Sequence, residues 1–232
     1  MRLFGEECNY TVLDEKIIEI LLQDRTMLTK FPINPEEVLP RYLKSSNDKK
    51  SRTKKKAEVF TPSKIVKKMN DMVETGYEGT IEDFIKRKVL EVTCGEAPFL
   101  TTRYEPETGV FISVKDRTGL LDRKLQCIPG IEYGIDIDGY IECVSEALKS
   151  VYGYEWQFDS LFLARLNLLL TVIEHYVDRY NLEPEYKLVS QWAMIISYNI
   201  IRMDGITLCV PETKIPAKIM NWDTGQMEHF DG

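Results

Sequence analysis

The stretch Val89-Leu90-Glu91-Val92-Thr93-Cys94-Gly95-Glu96-Ala97-Pro98-Phe99-Leu100 decides how the rest of the chain is read. Val89 to Val92 is a short β-prone run carrying a carboxylate, and the small residues Cys94, Gly95 and Ala97 mark a tight turn from strand to helix. Such a turn at a strand's carboxyl end lets a ligand approach backbone amides. The spacing acid-x-x-x-Gly-x-Ala departs from the Gly-x-Gly-x-x-Gly phosphate cradle, and nothing supplies the Gly-Lys-Ser/Thr ending of a P-loop. A nucleotide without a triphosphate is therefore the favoured ligand class.

Towards the C-terminus, residues 139–150 are helical by pattern, and Val151-Tyr152-Gly153-Tyr154-Glu155-Trp156 is a second strand-like run with an acid near its end. There a carboxylate can hold ribose hydroxyls while the Trp156 indole covers an adenine ring; the bland alternative is a helix-capping glutamate beside a core tryptophan. A long helix follows, with Leu161, Leu163, Leu166, Leu168, Leu169, Val172 and Ile173 at helical spacing. Leu188–Met203 is expected as a third helix and Ile206–Val210 as a third strand, with Asp204 in the turn between them positioned to accept from an adenine amino group. Lys218–Trp222 and Gln226–Phe230 read as a closing hairpin. Strands alternating with long helices predict an α/β fold with a largely parallel sheet.

Towards the N-terminus, Pro62 and Ser63 open a helix running to Thr75, and Tyr104–Ile112 reads as an inserted hairpin in which Gly109 supplies a positive φ. Residues 12–23 read as a short amphipathic helix belonging to an appendage, residues 1–44. Residues 45–57 read as a basic flexible linker. Within it the run 49–56 holds six positive charges, Lys49, Lys50, Arg52, Lys54, Lys55 and Lys56, and no acid, in a chain of net charge −7 that would stand at −13 without them. Local positive density of that kind draws phosphate even on an acidic body, so the arm is a DNA-binding candidate, with a solvated linker as the equal alternative. The main domain is 58–232, with its inserted hairpin near 101–130.

Composition excludes several classes. At 232 residues, 44% hydrophobic and 29% charged, the chain fits one large globular domain and not a collagen-like, disordered or disulfide-scaffold protein. Cys8, Cys94, Cys127, Cys143 and Cys209 are odd in number and scattered, which suggests reduced thiols and no thiolate zinc cage. His175 and His229 are the two histidines, too few for a histidine metal centre, and both are expected at surface or boundary positions. No apolar run approaches a bilayer span and no secretory leader is read, so the expected address is the cytoplasm, away from membranes.

Four segments together resemble the amino-methylating DNA methyltransferases of restriction-modification systems, in particular restriction endonuclease M subunits. Glu58-Val59-Phe60-Thr61-Pro62 looks like the family's N-terminal motif, which contacts the methionine part of S-adenosylmethionine. Leu90–Leu100 is similar to its cofactor loop, usually acid-Pro-x-x-Gly-x-Gly-x-Phe-Leu. Tyr152–Glu155 with Leu163-Ala164-Arg165-Leu166-Asn167-Leu168-Leu169 looks like the ribose-acid strand and its Ala-Arg-x-Asn-Leu helix, and Asn199–Gly205 resembles the segment whose aspartate faces adenine. The likeness covers residues 58–205 in the family's order.

The resemblance implies a Rossmann-like methyltransferase fold, complete or incomplete, in a type II DNA modification protein that binds S-adenosylmethionine and methylates adenine amino groups. The implied cofactor residues are Phe60, Thr61 and Pro62 on the methionine side; Glu91, Thr93, Cys94, Gly95, Ala97 and Phe99 in the loop; Glu155 for the ribose; and Trp156 and Asp204 for adenine. Asp136 is a rival ribose acid. Three departures stand out. Ala97 puts a methyl group where the family has its second glycine, which is expected to weaken cofactor binding, and Pro98 removes an amide donor beside it. The family's catalytic Asp/Asn/Ser-Pro-Pro-Tyr/Phe loop is not found, for no two of the ten prolines are adjacent and Cys209-Val210-Pro211-Glu212-Thr213 stands where it belongs. No catalytic residue is therefore assigned. A partner chain supplying catalysis and target recognition, a homodimer built on an unpaired sheet edge, or an inactive DNA-associated accessory protein are the alternatives.

Overall fold

A computed structural model describes residues 2–3, 6–7, 11–56, 58, 61–130 and 134–230. The chain begins with β1 (Arg2–Leu3) antiparallel to β2 (Glu6–Glu7), followed by α1 (Glu15–Leu21) and the antiparallel pair β3 (Gln23–Asp24) and β4 (Thr29–Lys30). Next come α2 (Ser46–Lys56), α3 (Ser63–Glu74), α4 (Ile81–Lys86), β5 (Val89–Glu91), α5 (Leu120–Cys127), α6 (Ile137–Lys149) and β6 (Val151–Glu155). The last elements are α7 (Phe158–Tyr180), α8 (Tyr186–Asn199), β7 (Ile200–Arg202), β8 (Lys218–Asn221) and β9 (Gln226–His229). The architecture is mixed α/β. Its central element is a three-stranded parallel sheet in the order β5-β6-β7, beside which β8 and β9 form an antiparallel hairpin.

The sheet forms because its middle strand is apolar on both faces: Val151, Tyr152 and Tyr154 are buried, as a strand covered on two sides requires. Val89 pairs with Val151 and Glu91 with Gly153, while Gly153 pairs with Ile200 and Glu155 with Arg202, so all three strands end at one edge. Gly153 fits there because a Cβ would lie 3.2 Å from Cys94 Sγ and 3.3 Å from Ile200 Cδ1. Helix α7 runs through the core. Its length and hydropathy would suit a membrane span, but 89% of its most apolar window is buried inside the protein, which is the behaviour of a core helix.

Several expectations give way to tertiary structure. The first helix is no appendage, since Ile17, Ile18, Leu21 and Leu22 sit at 0–3% exposure in the same hydrophobic core as α7 and α8. Arg165, fully buried, ties them together by donating to Leu21 O and Gln23 O at 2.7 Å, Ile200 O at 2.8 Å and Ser197 O at 3.0 Å. The flexible linker is instead helix α2. Ser45 starts it, accepting from Asp48 N, and Lys and Arg are good helix formers.

The third helix stops at Asn199, and the third strand is Ile200–Arg202, not 206–210, which is turn and bend around one bridge between Cys209 and Pro216. Asn199 Nδ2 donates to Leu148 O and Val151 O, fixing the switch from helix to strand through partners remote in sequence. In the 101–130 region the hairpin reduces to one bridge, Tyr104 with Phe111, and α5 occupies Leu120–Cys127. Gly109 does take a positive φ of 73°, and a side chain there would collide with the Tyr42 ring. His175 is buried, with Nε2 3.3 Å from Asp122 Oδ1, and is no surface residue.

Candidate functional site

Three acids from three neighbouring parallel strands gather at the carboxyl edge of the sheet. Glu91 is the last residue of β5, Glu155 the last of β6, and Asp204 lies two residues beyond β7. Between the first two runs the loop 92–98, folded by left-handed residues at every second position: Thr93 (φ 48°), Gly95 (φ 56°) and Ala97 (φ 63°). Only one of the three is glycine. Each of the others costs about 1–2 kcal/mol of backbone strain, so the surrounding contacts must hold the loop in place.

Those contacts are the two glutamates. Glu91 is buried and accepts from Phe99 N at 3.2 Å and Leu100 N at 3.1 Å, capping the loop from within. Burial pushes its carboxyl up from 4.5 to about 8, against the two amide donors, which favour the ionised form. Glu155 accepts from Gly95 N on one oxygen and from Trp156 N and Gln157 N on the other, each at 2.9 Å. It thereby joins the loop to the start of α7. Its carboxyl is also raised by burial, again opposed by its backbone donors. The Cys94 thiol is pushed up by burial and is held in the core.

The rim of this edge is open. Val92 is 58% exposed, Trp156 40% and Ile206 93%, one apolar side chain beyond the end of each strand. Thr93 is exposed beside Val92, and Phe99 is half-buried. Asp204 accepts from Ile206 N and Thr207 Oγ1, both at 2.9 Å, which lowers its carboxyl below the usual range and fixes the turn that presents Ile206. The rim thus presents an indole face and exposed apolar side chains beside Glu155 and Asp204, while Glu91 is buried behind the loop.

Ala97 corrects an expectation. Its side chain has no exposure and packs in the main hydrophobic core, so the added methyl group points inward and does not project onto the open rim. Thr61 and Pro62 lead directly into α3, whose Ser63 N lies 3.3 Å from the Glu105 carboxylate; Phe60 falls outside the described residues. Asp136 caps α6 by accepting from Gly139 N at 2.9 Å, and residues 131–133 before it fall outside the described residues.

Glu96, to which no motif gives a role, anchors a buried polar network. It accepts from Arg41 N at 2.8 Å and Tyr104 Oη at 2.7 Å; Asn167 Nδ2 donates to Glu96 O and Tyr104 Oη; and Arg103 links Asn167 to Glu174. The Asn of the Ala-Arg-x-Asn-Leu helix thus supports the loop from behind, a role that spacing alone does not disclose.

The basic segment divides in two. Lys50, Lys54 and Lys55 are exposed on α2, and Lys49 Nζ reaches Tyr42 O at 3.4 Å. Arg52 is engaged internally: it ion-pairs with Glu58 and Asp159, the latter at 2.6 Å, and donates to Ser160 Oγ. Arg52 therefore docks the helix and is not a free phosphate ligand. Lys56 is the last residue of α2, and its side chain falls outside the described residues. Among the described residues no group of His, Cys, Asp and Glu is arranged to hold a metal ion. Comparison of the chain with family models, with curated proteins and with solved structures finds no match.

Proposed function

We propose that this chain is the cofactor-binding part of an adenine-specific DNA modification methyltransferase of the restriction-modification type, with a Rossmann-like fold that takes S-adenosylmethionine across the carboxyl edge of β5 and β6. The observation that carries this reading is the clasp: Glu91 and Glu155, ending adjacent parallel strands, hold a left-handed loop between them and leave an open apolar rim at Trp156. In open α/β sheets a crevice beyond the strand ends is where ligands sit. Glu155 meets the ribose, Trp156 and Asp204 the adenine, Gly95 and its neighbours the backbone approach, and Thr61 and Pro62 the methionine side. The exposed lysines of α2 take DNA phosphates, and a partner chain supplies the Pro-Pro loop that this sequence lacks. The setting is cytoplasmic.

A second reading is favoured by one observation. Val210 and Pro211, where the catalytic loop belongs, are buried in a turn and present no polar head or aromatic platform. On that reading the chain is an inactive, DNA-associated accessory protein. Calorimetric titration with S-adenosylhomocysteine separates the two: one-to-one micromolar binding, weakened about tenfold by Trp156→Ala, supports the first. No binding by the intact chain supports the second.

A further inference from the structure

The two faces of the central sheet are covered unequally. Val89, Val151 and Ile200 pack in the main core with α6, α7 and α8. On the other face Tyr154 and its pair Ile201 belong to a second, smaller cluster, against which Leu208, Ile219 and Phe230 pack. Side chains alternate along a strand, so Leu90 and its pair Tyr152 share that second face, yet Leu90 is 43% exposed. Beside it lies a groove of about 330 Å³, lined by Leu90 and Tyr152 from the sheet and by Ile219, Met220 and Phe230 from the side of the β8–β9 hairpin. A parallel sheet is ordinarily covered on both faces, so the stretch over β5 is short of a layer. Glu228 also lines the groove, and among the described residues its carboxylate accepts from the neutral donors Asn221 Nδ2 and Thr224 Oγ1 and meets no cation.

We propose that a second copy of this chain fills the groove with its α3, giving a two-fold dimer in which the helix of each copy covers the open sheet face of the other. Helix α3 buries only Val66 and Asn70 against its own body. Ile65, Met69, Met72 and Val73, at i, i+4, i+7 and i+8, form an apolar stripe between 46% and 69% exposed, which is the anchor spacing of a helix laid into a groove. Lys64 and Lys68 are exposed along one side of the stripe, where no described residue pairs with them. They complement Glu228 in charge, so both halves of the contact stand on one chain. Stripe against stripe is the poorer arrangement, because a two-fold antiparallel pair sets the same flank of each helix against itself and brings lysine to lysine. Helix and groove are close together, since Arg87, next in the chain to the groove-lining Lys88, donates to Val73 O at 3.3 Å. A two-fold axis between them repeats the contact and closes the pair, which matters because stable interfaces bury about 1,600 Å² in total. None of these residues belongs to the adenosyl site proposed above, and the contact uses a face of the sheet and not its edge.

Sedimentation velocity of the whole chain over a range of concentrations should show a reversible monomer–dimer equilibrium. Met69→Lys and Leu90→Lys each place a charge in the contact at an exposed position, and each should raise the dissociation constant about tenfold or more, with circular dichroism to check that the fold is kept. Mixed in equal amounts, the two variants should recover part of the dimer, because the intact α3 of the Leu90→Lys chain enters the intact groove of the Met69→Lys chain. Lys68→Glu should also weaken association, and Glu228→Lys added to it should restore it. A monomer at the highest soluble concentration, a dimer indifferent to both variants, a dimer lost in Met69→Lys but kept in Leu90→Lys, or a mixture no more associated than either variant alone would each overturn the proposal. So would a monomer that anionic vesicles recruit through Met69, which would assign the stripe to a lipid surface.

Discussion

Glu91 shows how a single carboxyl couples the loop to pH. Its folded value of about 8 exceeds its ordinary 4.5, so between these limits the folded state holds a proton that the unfolded chain has lost. Stability contributed by this group is therefore present in acid and declines as pH rises from 4.5 towards 8, with a slope of at most about 1.4 kcal/mol per pH unit. Urea unfolding at several pH values should show that decline, and Glu91→Gln should flatten it; an unchanged slope in the variant would mean that other groups set the pH dependence. Ala97→Gly presents a balance of opposed terms. Relief of left-handed strain is worth about 1–2 kcal/mol, while loss of a buried methyl costs about 0.8 kcal/mol and glycine adds unfolded-state entropy. A stability change within about 1 kcal/mol of zero is expected from thermal unfolding. Both glutamates are legible in the sequence, because an acid closing a β-prone run, with small residues after it, marks the end of a strand and the turn that follows. The inward direction of the Ala97 methyl is not, since it depends on which residues pack behind the loop.

Among the elements, α2 has the weakest hold on the body. It has almost no apolar residue to bury, so its docking rests on the ion cluster of Arg52, Glu58 and Asp159. Arg52→Ala should release it, lowering amide exchange protection across residues 49–55 about tenfold or more while leaving α7 unaffected; protection that persists would show that the helix is held by other contacts. In the sequence, residues 45–57 read as a linker because polarity argues against burial. Ser45 with Asp48 three residues on is the available helix-start signal, whereas the ion pairs to Glu58 and Asp159 become apparent only in three dimensions. The exchange of helix for strand at 199–203 has a similar cause. The apolar run Ile195, Ile196, Ile200 and Ile201 suits a buried helix as well as a buried strand, and the boundary is set by Asn199 bonding to Leu148 and Val151.

At the scale of the molecule, Arg165 makes α1, α8 and β7 one body by giving its donors to four carbonyls in the core. Arg165→Met strands all four and should cost at least about 3 kcal/mol in unfolding free energy, read from the denaturant midpoint; a loss below about 1 kcal/mol would show that the N-terminal helix is held by apolar packing alone. This union is not legible from the chain, because the arginine lies in a run of leucines and the carbonyls that tie it to α1 are more than a hundred residues away. The alternation of strands and helices, by contrast, is enough to read a parallel sheet. The central claim is that the edge of that sheet between Glu155 and Trp156 is an adenosyl site. A crystal structure of the chain grown with S-adenosylhomocysteine tests it most directly: the ribose hydroxyls should lie within hydrogen-bond distance of Glu155 and the purine against the Trp156 face. A ligand bound elsewhere, or a crevice left empty at saturating concentration, would contradict it.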